Sequence, residues 1–229
     1  TPYLVLCSAG LSRMMIEQGL QILYADQHIA VVNKPGGLLA VPGRGPDKQD
    51  CVVSRFRAIY PQAIAQPSVH RLDMATSGLM VLAMTDAAHR QLSRQFAERQ
   101  VEKIYIALLD GLVAKEQGEI RLCFRLDPDN RPYQIYDPVQ GKLGITFWQR
   151  LSHESSRLGE RTRVAFTPLT GRTHQLRLHA THGLGCPIIG DSLYGSGNEG
   201  DPMCLHATRL AFIHPASGKR LEFRCPVPF

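Results

Sequence analysis

The longest apolar runs in this chain, such as 79–84 and 104–109, are no longer than a β-strand. That ceiling constrains the fold more than any other feature. No stretch approaches the ~20 apolar residues that a membrane-spanning helix needs. A chain whose apolar residues come in strand-sized pieces, separated by Pro, Gly, Asp and Asn, builds its core mainly from sheet. Apolar residues are 44% of the total, enough for a buried core and too many for a disordered segment.

Read along its length, the chain gives a β-rich α+β domain with mostly antiparallel neighbours. Residues 20–24 and 29–33 read as a hairpin, and Lys34-Pro35-Gly36-Gly37 ends its second strand. Residues 42–50 form a Gly/Pro/charged loop. Asp50 is placed to cap a helix that runs through Tyr60 and stops at Pro61. Residues 62–77 look irregular and 79–84 read as a strand. Asp86 then caps a helix to about Gln100, with Ala88, Leu92 and Phe96 on one face and Arg90 and Arg94 on another. Strands are expected at 101–109, 118–124, 144–152 and 161–167, and a helix over 171–182. A last hairpin, 203–214 with 219–224, turns at Ala216-Ser217-Gly218. The register within 142–160 is open.

The formal net charge is +6 and the pI about 9.1. A basic surface attracts polyanions, RNA and DNA among them. The six cysteines are widely and irregularly spaced, with no C-x-x-C pair. This argues against a compact disulfide framework or zinc knuckle and suits reduced, mostly buried thiols of a cytoplasmic protein. His174, His179 and His182 lack a nearby carboxylate to complete a metal site, and no metal is expected. Serine-hydrolase, Walker A and dinucleotide-binding signatures are absent.

Chemistry-bearing residues gather in a few places. His70-Arg71-Leu72-Asp73-Met74-Ala75-Thr76-Ser77-Gly78 sits in an irregular stretch before a strand, where a rigid scaffold often carries catalytic groups. The plain alternative for Asp73 is a turn cap or an ion pair with a nearby arginine. Lys103, Tyr105 and Ala107 share one side of a strand opposite the Ile104, Ile106, Leu108 row. Tyr105 is therefore on the more polar side, suited to stacking on a flat ligand. Gly171-Arg172-Thr173 opens the expected helix, and its N–H groups and charge suit an anion. Arg177, one turn on, needs a carboxylate partner if buried.

Together these pieces resemble the RluA family of pseudouridine synthases. The similarity runs in order through Asn33-Lys34-Pro35-Gly36-Gly37-Leu38, the H-R-L-D-x-x-T-S-G motif at 70–78, the K-x-Y-x-A segment at 103–107, and G-R-T-H-Q-L-R-x-H at 171–179. Gly190-Asp191 with Tyr194-Gly195, and Leu205-His206-Ala207 with His214-Pro215, complete it. Val41-Pro42-Gly43-Arg44 is similar to the branch that acts on both tRNA and large-subunit rRNA.

The resemblance implies a central, mostly antiparallel mixed sheet flanked by helices and loops, with a basic active-site cleft, over 20–229. Residues 1–19 form an extension too short for the S4-like module of some relatives. It implies isomerisation of uridine in RNA without cofactor or metal. The implied partner is a tRNA stem-loop, a large-subunit rRNA hairpin, or both; a cytoplasmic location is expected from the cysteines, and the oligomeric state is open with monomer as the default. Asp73 matches the catalytic carboxylate, whose job as nucleophile, base or charge stabiliser stays open. Arg177 matches the arginine that pairs with it, and Tyr105 the tyrosine that stacks on the flipped base. His70 and Arg71 are candidates for filling the gap or binding phosphate. Arg44, Thr76, Arg172, His174 and Gln175 are further RNA-binding candidates, and Arg55, Arg90 and Arg94 add to the basic surface. The rivals are an inactive RNA-binding relative, which would be expected to have lost at least one of the three core residues, and a carboxylate-using hydrolase of nucleosides or glycosides, which would be expected to need a second acid.

Overall fold

The computed structural model describes residues 15–156 and 159–229. Most of the expected N-terminal extension, and Cys7 with it, lies outside the described residues. In chain order the first elements are β1 (Met15–Glu17), β2 (Leu20–Ala25), β3 (Ile29–Lys34), α1 (Val52–Ile59), β4 (Ser77–Ala83), α2 (Asp86–Ala97) and β5 (Glu102–Asp110). Then come β6 (Gln117–Leu126), β7 (Gln134–Tyr136), β8 (Lys142–Ser156), β9 (Gly159–Pro168), α3 (Gln175–Leu178), β10 (Leu205–Ile213) and β11 (Arg220–Arg224). The residues gather into two compact units, one up to Lys103 with Ala207–Pro228, the other Ile104–His206 with Phe229. No helix among the described residues is long and apolar enough to cross a membrane.

In the first unit the strands lie in the order β1-β2-β3-β4-β10, with β11 added to β10. The β1–β2, β2–β3, β3–β4 and β10–β11 pairings are antiparallel. Asp26 closes the β2–β3 hairpin, its Oδ1 accepting the N–H groups of His28 and Ile29 at 2.7 and 2.8 Å. A short acid is suited to that bend because its side chain satisfies backbone donors locally. His214 Nδ1 accepts the N–H groups of Ala216 and Ser217, so its Nε2 carries the proton that it donates to Asp26 at 2.8 Å. The core is one layer of β3, β4, β10 and β11 side chains (Val31, Val81, Leu210, Phe212 and Phe223 among them) under Ala88 and Leu92 of α2.

Both helix starts differ from expectation by their caps. The N-cap of α1 is Cys51, whose Sγ accepts the Ser54 N–H while Ser54 Oγ accepts the Cys51 N–H. Asp50 is instead drawn onto Arg55 at 2.7 Å. The N-cap of α2 is Thr85, whose Oγ1 accepts the Ala88 N–H, and Asp86 is the first helical residue.

In the second unit the order is β5-β9-β8-β6-β7, with every pairing antiparallel. The open 142–160 register resolves as a long β8–β9 hairpin with a shift between Arg150 and Ser152. Tyr105 pairs with Phe166, Phe166 with Trp148, and Trp148 with Gly118. Directly paired residues share a face, so Tyr105 ends an aromatic row. A Cβ at Gly118 would sit 3.0 Å from Trp148 Nε1, and glycine leaves the indole its place.

The helix expected over 171–182 is much shorter. Regular α-helix covers only Gln175–Leu178, followed by a π-helical turn at His179–Gly183, and His174 before it is left-handed at φ 57°. The Gln175 carboxamide explains the late start. Its Oε1 accepts Thr170 Oγ1–H and the Arg172 N–H, and its Nε2 donates to Ile145 O and Thr146 Oγ1. The side chain thus holds the 170–173 segment in a turn against β8, where a helical backbone would otherwise have supplied the partners.

Candidate active site

In the first unit, Asp73 stands in the turn that leads into β4. Its carbonyl accepts the Thr76 N–H at 3.1 Å, and its neighbours Arg71 and Met74 face solvent while Leu72 is buried. The turn is pinned from β3. Lys34 is wholly buried, and its Nζ donates to the carbonyls of Pro35 (2.9 Å), Leu38 (2.6 Å) and Met74 (2.9 Å). The Gly37 N–H also donates to Met74 O at 2.9 Å. Burial pulls the Lys34 pKa down to about 7, with the Asp73 charge pulling it back up. The three carbonyls around Nζ match the three N–H donors of the ammonium form. Lys34 thus brings a cation close to the Asp73 carboxylate and fixes the backbone immediately after it. Gly78, at φ +115°, lets β4 press against the Ala207 backbone, which a Cβ would strike.

Two of the expected RNA-binding residues in this unit, His70 and Thr76, are packed into the fold. His70 Nε2 accepts the Val81 N–H at 3.1 Å, and its ring stacks on Phe96 at 4.5 Å. Burial, then the Lys103 charge, lowers its pKa to about 3, so the ring is neutral with its proton on Nδ1. Thr76 is 2% exposed, and its hydroxyl has no protein partner among the described residues. Arg71 and Arg44 do face solvent, Arg44 on a loop tied by Gln49 Nε2 to the carbonyls of Gly43 and Gly45. Of the outlying arginines, Arg55 is paired with Asp50 and Arg94 lies 3.8 Å from Glu98.

In the second unit, Tyr105 is half-buried on β5 beside Phe166. Arg177 is 4% exposed and meets the wholly buried Asp191, Nε to Oδ2 at 2.8 Å and a terminal nitrogen to Oδ1 at 2.5 Å. Burial would raise the Asp191 carboxyl, but the Arg177 hydrogen bonds and charge, with the N–H groups of Tyr194 and Leu193, outweigh it and hold it below the usual range. The Arg177 guanidinium lies over the Tyr194 ring, 5.1 Å from its centroid. The carboxylate partner that burial demands of Arg177 is therefore supplied by Asp191. His174 and Gln175, two of the RNA-binding candidates, are buried at 8% and 4%, with His174 Nδ1 meeting Tyr194 Oη at 2.7 Å. Arg172 is exposed, its Nε 3.4 Å from Leu143 O. The helix-start anion site expected at 171–173 is not formed, because the Arg172 N–H is taken by Gln175.

The sequence pattern of the family described as RNA pseudouridylate synthase matches residues 28–182, spanning both the Asp73 turn and Arg177. The chain belongs to that family. Its relatives include the dual-specificity RNA pseudouridine synthase RluA of Yersinia pestis, 44% identical over 211 residues, covering 91% of this chain and 99% of that protein. The RluA of Escherichia coli K12 is 44% identical over 216 residues, covering 93% and 95%. Among solved structures, human RNA pseudouridylate synthase domain containing 1 superposes with a TM-score of 0.76 at 30% identity, over 96% of this chain and 87% of that one. The human domain containing 4 does so at 0.69 and 26%, over 90% and 88%. The synthase is thus an RNA-modifying isomerase of the RluA family. Lys34, Asp191 and Tyr194 are the residues of its site regions that the sequence reading left without a role. For Lys34 the signal was a cation ending an otherwise buried strand.

Proposed function

We propose that this synthase converts specific uridines to pseudouridine in both a tRNA stem-loop and a large-subunit rRNA hairpin. The observation that carries the reading is near-full-length identity with enzymes named for dual specificity. The catalytic group is Asp73. The reaction breaks the bond from ribose C1′ to uracil N1, turns the base, joins C1′ to C5, releases the C5 proton and returns a proton from solvent to N1. No oxidant or second substrate is needed for that balance. Bond breaking builds positive character on the sugar, which a carboxylate stabilises, traps, or relieves by taking the 2′ proton. Lys34 sets positive charge near the Asp73 carboxylate, and the tethered Met74 carbonyl fixes the turn that carries it.

A stacked uridine cannot reach a carboxylate and must be flipped out. Tyr105 stacks on the flipped base and its hydroxyl assists loss of the C5 proton. Arg177 supplies fixed positive charge for the reacting complex. Arg71, Arg44 and Arg172, all exposed, contact RNA phosphates. The enzyme works as a cytoplasmic monomer. The test is to incubate it with tRNA and rRNA from cells lacking it and map pseudouridine by carbodiimide blocking of reverse transcription. New stops in both RNAs support dual specificity, and stops in only one confine the enzyme to that class.

A further inference from the structure

We infer that Asp191 is a positioning residue for the synthase reaction, forming with Tyr194 a buried seat that sets the direction of the Arg177 guanidinium. The inference rests on the reading that Arg177 serves the chemistry. Asp191 is itself immobilised: its Oδ1 accepts the N–H groups of Leu193 and Tyr194 at 2.9 and 3.0 Å while also accepting from Arg177. A carboxylate locked by the turn that follows it makes a fixed reference for the arginine. It grips Nε and one terminal nitrogen, which fixes the plane of the guanidinium and turns the other terminal nitrogen away from Asp191. The Tyr194 ring closes one face of that plane. The ring is anchored in turn: Tyr194 Oη accepts the Gln134 N–H at 2.8 Å and is hydrogen-bonded to His174 Nδ1 at 2.7 Å.

Apolar side chains often fill such a site about as stably as a buried ion pair, so stability alone gives little reason for this arrangement. A carboxylate and an aromatic ring together fix both in-plane direction and tilt. Those are the coordinates that matter when a planar cation must meet charge developing in a transition state.

The test measures single-turnover rate at saturating RNA, RNA affinity and melting temperature for each variant. Asp191→Asn is expected to slow the step about 100-fold while leaving RNA affinity within about threefold. Should Asp191→Asn not fold, Tyr194→Phe decides, since it keeps the ring and removes only the anchoring hydroxyl. Its expected loss is about tenfold in rate with affinity kept. In an Arg177→Lys background, either change should add less than about threefold, because both act through the arginine. Multiplying effects would overturn the seat, as would a lowered melting temperature with an unchanged rate. Full activity of Arg177→Lys would instead overturn the reading of Arg177 on which the seat rests.

Discussion

Replacing Lys34 with methionine isolates what a buried cation does beside the Asp73 turn. Methionine keeps most of the volume and removes the donors. The Leu38 carbonyl loses its 2.6 Å partner in a buried position, and the part-buried Pro35 carbonyl loses one at 2.9 Å. Met74 O keeps the Gly37 N–H and so remains satisfied. Each orphaned carbonyl costs about 1–3 kcal/mol, offset in part because no charge has to be buried. The net loss is about 2–3 kcal/mol, which in a chain of this length lowers the melting temperature by about 5–10 °C. Differential scanning calorimetry reads the shift. Because Gly37 still pins the turn, the single-turnover rate well below the transition should fall less than about tenfold. A melting temperature unchanged within about 2 °C would refute the assignment of Lys34 as the tie between β3 and the turn.

Tyr105→Phe should retain RNA affinity and lose about 100-fold in rate if the hydroxyl moves the C5 proton, and an undiminished rate would leave the ring with stacking alone. His70 and His179 are lowered to about 3 and about 4, chiefly by burial. Both stay neutral in the fold and protonate first in the unfolded chain. Stability is therefore full above pH ~6.5 and falls below it by up to about 1.4 kcal/mol per pH unit per histidine. Urea unfolding from pH 7 to 4.5 should show the decline, and His70→Gln should flatten it. Gly144→Val would drive a Cβ to 2.8 Å from the Phe124 ring and 3.1 Å from His179 Nε2. The expected cost is about 1–3 kcal/mol by denaturant titration, with no loss if the helical turn can shift. Arg44→Gln and Arg71→Gln should each reduce the slope of log affinity against log salt by about 1.

Elements with a local cause were legible in the sequence. The β2–β3 hairpin follows from Asp26 between two apolar runs, α2 from the spacing of Ala88, Leu92 and Phe96, and the β10–β11 turn from residues 216–218. Errors arose where a side chain replaced a backbone partner. Cys51 caps α1 through sulfur, a weak acceptor that capping preferences pass over, and Gln175 holds the preceding turn open where periodicity alone reads helix. The site divides the same way. The motifs pointed to Asp73, Tyr105 and Arg177, but not to the buried ion pair, whose acid lies 14 residues from its arginine and reads alone as a turn residue. Nor could spacing show that His70, Thr76, His174 and Gln175 point into the fold, because burial belongs to the folded chain.

The central claim is that Asp73 carries out uridine isomerisation, and tritium release from RNA labelled at uridine C5 tests it most directly. The substrate is bulk tRNA and rRNA from cells lacking the enzyme, compared for the native chain and Asp73→Asn. Release is expected from the native enzyme and none from the variant, with similar RNA affinity for both. Release by folded Asp73→Asn at a rate near that of the native enzyme would contradict it.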